Sequence, residues 1–231
     1  MDINRLDWDS GFFGLRIGRV SINSEEECLA LAERRTLAQN DFDLVYVFAS
    51  HGLDVSLPNA QLVDEKVVYK LSNTFYSESN HRVILWDSNK GVTDDLLHLA
   101  LVSGKYSRFH TDEGLPAGSY ERLYSRWIEQ SVNRVLATKV FCYIEDEVPR
   151  GLVTLDEKDG YGSVGLVAIH EGFQSRGIGT AMMKHVIGQM HVGRIQKLYV
   201  TTQAANMPAC RLYEKCGFQV ESVTDIWHWW M

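Results

Sequence analysis

A chain of 231 residues, 45% of them apolar, holds enough material for a sizeable buried core in one large domain or two small ones. Its formal charge of −7 argues against a general binder of nucleic acid, which would present a basic face, and leaves room for a local basic pocket. Four cysteines without a CxxC pair and eight histidines without HExxH spacing argue against a disulfide scaffold and the common metal motifs, so no metal is expected.

The first segment, Leu6 to Val20, mixes aromatic residues with glycines and passes into a strand-like alternation over Leu15 to Ile22. Ser24 followed by Glu27 has the form of a capping box, and Cys28, Leu29, Leu31, Ala32 and Leu37 continue it as an amphipathic helix to about Asn40. Leu44 to Ala49 reads as a buried strand and Lys66 to Leu71 as a half-exposed one. These pieces define an amino-terminal α/β domain over residues 1–80, which ends in a polar connection from Tyr76 to Asn80. The second domain, residues 81–231, opens with the apolar Val83 to Trp86 and a helix over Val92 to Val102 capped by Thr93. Ser103 to Pro116 is a loop rich in glycine, polar and aromatic residues, a composition common in binding segments. A helix over Gly118 to Val132 carries Leu123, Trp127 and Ile128 on its apolar face. Antiparallel strands follow at Thr138 to Ile144 and Gly151 to Leu155, and a charged turn leads into a buried strand over Val164 to Ile169. A helix beginning near Ile178, a strand over Lys197 to Thr202, a short helix between Asn206 and Gly217 and a strand-like run from Phe218 complete the pattern. The aromatic tail Trp227-His-Trp-Trp230 serves either as a homodimer contact or as packing within the chain.

The turn Gln174-Ser-Arg-Gly-Ile-Gly179 says most about function. Two glycines where the chain enters a helix let several backbone N–H groups converge with no Cβ in the way. Free N–H groups at a helix start carry partial positive charge and favour a phosphate. The dinucleotide fingerprint GxGxxG would need glycine where Met182 stands, and no Gly-Lys-Ser/Thr follows to make a P-loop.

What remains, Gln/Arg-x-x-Gly-x-Gly/Ala between a strand and a helix, resembles the GCN5-related N-acetyltransferase (GNAT) family. The resemblance runs from about Val83 to Val223 and includes Asn206, Ala209, Tyr213 and Gly217-Phe218, which match the family's Asn-x-x-Ala-x-x-x-Tyr helix and its ending. It implies an α/β fold with a mixed, mostly antiparallel sheet and acetyl-CoA as co-substrate. In that likeness Gln174, Ser175, Arg176, Gly177, Ile178, Gly179 and Thr180 hold the pyrophosphate. The bulged strand at Val167, Ala168 and Ile169 pairs with the pantetheine arm, and Asn206 adds a side-chain contact. Tyr213 becomes the general acid: with an unperturbed pKa of about 10 it holds its proton at neutral pH and can protonate a thiolate whose thiol lies near about 8.5. Many relatives carry glycine where this chain has Ser175, so that N–H must be offered from a conformation that tolerates a Cβ.

Shorter pieces, Leu6 to Gly14, Tyr106-Ser-Arg-Phe109, Arg126 to Glu129, Val200 to Gln203 and Val220 to Ser222, resemble family members that acetylate the 4-amino group of a dTDP-linked 4-amino-4,6-dideoxyhexose. This implies direct transfer in a ternary complex to such a sugar, destined for a surface glycan. Arg108 would meet the diphosphate, and Tyr106 or Phe109 would stack on thymine. Protein amines, polyamines and aminoglycosides stay open as acceptors, as does a non-catalytic acyl-CoA sensor. No general base announces itself, and His110, Asp112 and Glu113 are the candidates in the loop. With no signal-peptide pattern at Met1 and no run of about 18 apolar residues, a cytoplasmic protein without membrane insertion is expected.

Overall fold

The structure is a computed structural model that describes residues 2–72, 80–193 and 195–231. Apart from Asn80, the connection expected at Tyr76 to Asn80 lies outside the described residues. The amino-terminal part contains β1 (Asn4–Arg5), α1 (Asp7–Phe13), β2 (Ile17–Ile22), α2 (Glu25–Glu33), α3 (Arg35–Asp41), β3 (Leu44–Ser50) and β4 (Ala60–Ser72). There follow β5 (Val83–Leu85), α4 (Asp94–Ser103), α5 (Arg108–Thr111), α6 (Ser119–Val132), β6 (Lys139–Glu145), β7 (Val148–Lys158) and β8 (Tyr161–Ile169). The chain continues through α7 (Ile178–Val192), β9 (Lys197–Gln203), α8 (Met207–Lys215) and β10 (Gln219–Trp230). Among the described residues no helix is long and apolar enough to cross a membrane.

Among the described residues, ten strands lie in one sheet, in the order β1-β2-β3-β10-β4-β9-β8-β7-β6-β5. Of these described strands only the pairs β2–β3 and β8–β9 are parallel, so the expected mixed, mostly antiparallel α/β architecture is what forms. Strand alternation assigns side chains to two layers. Leu44, Tyr46, Val140, Cys142 and Leu152 face α1, α4 and α6, whereas Val67, Tyr69, Phe141, Val153 and Leu155 face α7 and α8. Val45, Val47 and Trp229 pack on Leu31 of α2 in a third cluster.

Three local expectations change. The helix expected from Ser24 to Asn40 is two helices, α2 and α3, joined at Arg34. Its start keeps the reciprocal cap: the Glu27 N–H donates to Ser24 Oγ at 3.3 Å, and the Asn23 N–H donates to Glu27 Oε2 at 2.6 Å. The Ser103–Pro116 loop contains the short α5, because the Ser107 hydroxyl accepts from the Phe109 N–H and starts a turn. The aromatic tail is the inner part of β10, laddered to β3 on one side and β4 on the other, with Trp229 fully buried. It packs within the chain.

Candidate active site

The site begins where β8 and β9 part. They pair from Tyr161↔Lys197 to Val164↔Val200; beyond this, β8 runs on to Ile169 along β7 and β9 runs on to Gln203 along β4. Two strand edges therefore face each other across a gap inside the sheet.

A β-bulge causes the divergence. Leu155 is opposite Val164 but Val153 is opposite Val167, so Thr154 spans Gly165 and Leu166 together. The Leu166 N–H donates to Thr154 Oγ1 at 2.8 Å, replacing the ladder bond that the bulge removes. Gly165 is required here, since a Cβ would lie 2.7 Å from that hydroxyl oxygen. The extra residue reverses the alternation: Val164 faces α7, whereas Leu166 and Ala168 face α4 and α6. Val167 and Ile169 return to the α7 side, which explains why the whole stretch is apolar.

The turn after β8 sits at one end of the gap. Gln174 Nε2 donates to the Ile169 carbonyl at 3.2 Å and ties the turn to the strand. Ser175 has φ +62° and Gly177 φ +79°, so the chain enters α7 through two left-handed residues. No side chain caps α7, and its first intrahelical bond runs from the Ala181 N–H to the Gly177 carbonyl. The N–H groups of Ile178, Gly179 and Thr180 thus remain at the positive end of a 15-residue helix. Gly179 matters for packing, because a Cβ there would approach Leu212 Cδ2 to 3.2 Å. Arg176 donates to the Gly172 carbonyl at 3.0 Å and lies over Phe173, leaving the cradle open.

A cavity of about 410 Å³ occupies the gap. Tyr213 and Asn206 of the α8 segment line it, together with Val164 to Val167, Thr201 to Gln203, and Arg108 and Phe109 from the opposite layer. Tyr213 is 3% exposed, and burial pushes its phenol above the ordinary tyrosine range. Asn206 Oδ1 accepts from the Ala209 N–H at 3.3 Å and so caps α8 while lining the cavity. A second, mainly apolar cleft of about 580 Å³ adjoins at Phe109, Trp127, Ser163 and Gly165, and is walled by Trp8, Leu123 and Arg126. Tyr106 instead lines a separate pocket with Gln61, Leu62 and Thr111.

Arg108 lies over the Phe109 ring at 4.4 Å and the Tyr46 ring at 5.1 Å. Its Nε is buried with no hydrogen-bond partner among the described residues, and desolvation lowers its pKa. Asp64 of β4, 7% exposed, lines the same cavity, and its Oδ1 also lacks a partner among the described residues. Burial raises the Asp64 carboxyl to about 6, against the opposing pull of Arg108, Gln203 and Lys66. Sequence reasoning missed this residue. The available signal was a pair of charges, Asp64 and Lys66, in phase on one face of a strand whose other face carries Val67, Tyr69 and Leu71.

The loop candidates for a base lie elsewhere. Asp112 is 4% exposed and accepts from Gln61 Nε2 at 2.9 Å, the Gly114 N–H at 2.9 Å and Trp230 Nε1 at 3.3 Å, besides pairing with His228 Nδ1. Its lone pairs are committed to structure. His110 is exposed against Tyr120 and Glu113 is exposed, and neither lines the cavity.

Residues 105–218 match the profile of the acetyltransferase (GNAT) family. That segment of the chain belongs to the family. GNAT structures share its architecture: a GCN5-related N-acetyltransferase from Sphaerobacter thermophilus superposes with TM-score 0.54 at 17% identity, covering 80% of this chain and 59% of that one. Among curated proteins, the spore coat polysaccharide biosynthesis protein SpsD of Bacillus subtilis is 24% identical over 75% of this chain and 60% of its own length. The ribosomal protein bS18-alanine N-acetyltransferase of Salmonella typhimurium is 30% identical over 31% of this chain and 45% of its own. The chain thus spans three-fifths or less of the length of these relatives.

Proposed function

We propose that this GNAT-family chain transfers an acetyl group from acetyl-CoA to a primary amine, and that the acceptor is a dTDP-linked 4-amino-4,6-dideoxyhexose. The observation that carries the chemistry is the gap between β8 and β9, with an uncapped helix start at one end and Tyr213 lining the cavity. In this reading the free edge at Val167 to Ile169 pairs with the pantetheine arm, while the turn from Gln174 to Thr180 takes the pyrophosphate. Holding both reactants in one cavity supplies orientation. Backbone N–H groups on the β8 edge polarise the thioester carbonyl. Tyr213 keeps its proton until a thiolate departs.

The sugar acceptor is supported by the likeness to SpsD, by the unpartnered Arg108 Nε and by the aromatic cleft beside it. A guanidinium suits a diphosphate, and Phe109, Trp8 or Trp127 offers a face for a nucleobase. Thiol release from acetyl-CoA, measured over dTDP-amino sugars, polyamines, aminoglycosides and peptides with free amino-terminal alanine, tests both levels. Release with the nucleotide sugars alone supports the full reading. Preference for a peptide or polyamine refutes the sugar acceptor and keeps the transferase. Tight CoA binding without release on any amine identifies a sensor.

A further inference from the structure

Outside the cofactor cradle, the polar feature of the cavity that the cofactor-binding residues leave unexplained is the presence of Asp64 and Arg108 together in its lining. A buried carboxylate usually spends both oxygens on hydrogen bonds, and one left with a bare oxygen costs stability. Here Oδ1 is buried without a partner among the described residues, in the same cavity as Tyr213 and the bulged strand. Gln203 holds the carboxylate from β9, and Arg108 supplies positive charge from α5. We propose that the part of the cavity beside Asp64 receives the acceptor's ammonium group, and that Asp64 Oδ1 takes its proton before the amine attacks the thioester. This rests on the reading of the chain as an acetyltransferase and makes no use of which amine is the natural acceptor.

The step balances as follows. One ammonium N–H bond breaks and its proton passes to Asp64. The freed lone pair forms an N–C bond to the thioester carbonyl carbon, and the C–S bond then breaks with its electron pair on sulfur. Tyr213 protonates the thiolate and regains a proton from the new amide nitrogen, while Asp64 returns its proton to solvent. Net products are the amide, CoA thiol and one proton.

The environment suits a base that works near neutrality. Charged and titratable groups around Asp64 are Glu65 and Lys66 on β4, Arg19 on β2, Arg108 on α5, Tyr124 on α6 and Tyr213 on α8, with Tyr46 on β3 and Asp9 on α1 acting on Arg108. Its β10 neighbour, Ile226, carries no charge. Burial raises the carboxyl to about 6, so at pH 7 most molecules hold it ionised while it keeps appreciable basicity. A carboxylate with an ordinary pKa would be the weaker base.

The test uses the full chain with Asp64→Asn and Asp64→Glu. CoA affinity by calorimetry and far-UV circular dichroism check that each variant is folded. Thiol release is followed from pH 5 to pH 9 with dTDP-4-amino-4,6-dideoxygalactose as acceptor, and separately with water alone, as slow acetyl-CoA hydrolysis. Asp64→Asn should bind CoA unchanged, lose about 100-fold or more in kcat and lose the limb that rises through pH about 6; Asp64→Glu should recover part of both. An inert nucleotide sugar combined with hydrolysis that falls in Asp64→Asn supports the base and refutes that sugar as acceptor. Turnover within threefold of the parent with the same rising limb, or no Asp64-dependent release in either assay, overturns the proposal.

Discussion

Replacing Asp112 with alanine separates a structural acid from a catalytic one. The carboxylate joins three regions: it accepts from Gln61 on β4, from His228 and Trp230 on β10 and from the Gly114 N–H of its own loop. Alanine orphans these donors in a site where Asp112 and His228 are both essentially inaccessible. Each abandoned buried donor costs about 1–3 kcal/mol, and partial relaxation brings the expected total to about 3–5 kcal/mol. That is a large share of a typical stability of about 5–15 kcal/mol. In urea, with a slope of about 2–3 kcal/mol/M, the midpoint should fall by about 1–2.5 M, read from tryptophan fluorescence. The effect carries a pH signature. Desolvation pushes the Asp112 carboxyl up, but the hydrogen bonds from His228, Gly114 and Trp230 outweigh it and hold it below its ordinary 3.8. Its contribution is therefore complete above pH 3.8 and lost as pH falls through the lower folded value, so parent and variant should converge in acid. The folded fraction should turn over at the parental rate; a 100-fold loss of kcat with an unchanged urea midpoint would refute this assignment.

Tyr213→Phe should bind acetyl-CoA as the parent does and lose about 100-fold or more in kcat, checked by calorimetry beside thiol release. Ser175→Gly removes a left-handed residue that costs about 1–2 kcal/mol, offset by the roughly 0.5–1 kcal/mol of freedom that glycine loses on folding. The variant should be as stable as the parent or up to about 1.5 kcal/mol more so, with CoA affinity retained; a weaker CoA complex would show that the serine side chain takes part. Thr154→Val keeps the shape but strips the acceptor from the Leu166 N–H, so unfolding should cost about 1–3 kcal/mol less, with a matching loss in acetyl-CoA affinity as the bulge relaxes. Asp64→Asn should stabilise the fold above pH 6. The raised carboxyl costs nothing below its ordinary 3.8, and the penalty grows to ~3 kcal/mol as pH passes about 6, so melting curves of parent and variant should diverge between those values.

Local chemistry was legible in the sequence, and chemistry assembled from distant strands was not. The turn from Gln174 to Gly179 is contiguous, so its glycines and the helix start after it suggest an anion cradle, whereas the acid at Tyr213 is what the family resemblance of the Asn206–Tyr213 helix implies. Alternation and turn residues marked the individual strands and helices, the family resemblance implied the mixed, mostly antiparallel sheet, and the described strands agree with it. The residues themselves hide the bulge in an apolar run, with Gly165 as its mark; the family resemblance implied one at Val167 to Ile169, and the register places it at Gly165 and Leu166. Asp64 gives no motif, because its position depends on the register of β4 against β9 and on where α5 packs. Asp112 looked like a solvated loop acid because its partners Gln61 and His228 lie 51 and 116 residues away.

The place of β10 also bears on how the chain folds. Inserted between β3 and β4, it pairs with strands that precede it by most of the sequence; the His51–Asp225 contact alone closes a separation of 174 residues. Until that long closure, β3 and β4 each offer a bare edge that another copy can ladder onto. Such non-local pairing is slow, so the interval before β10 docks is when this protein is most exposed to aggregation during refolding. Dilution and low temperature at that stage should raise the yield more than any change to the finished surface.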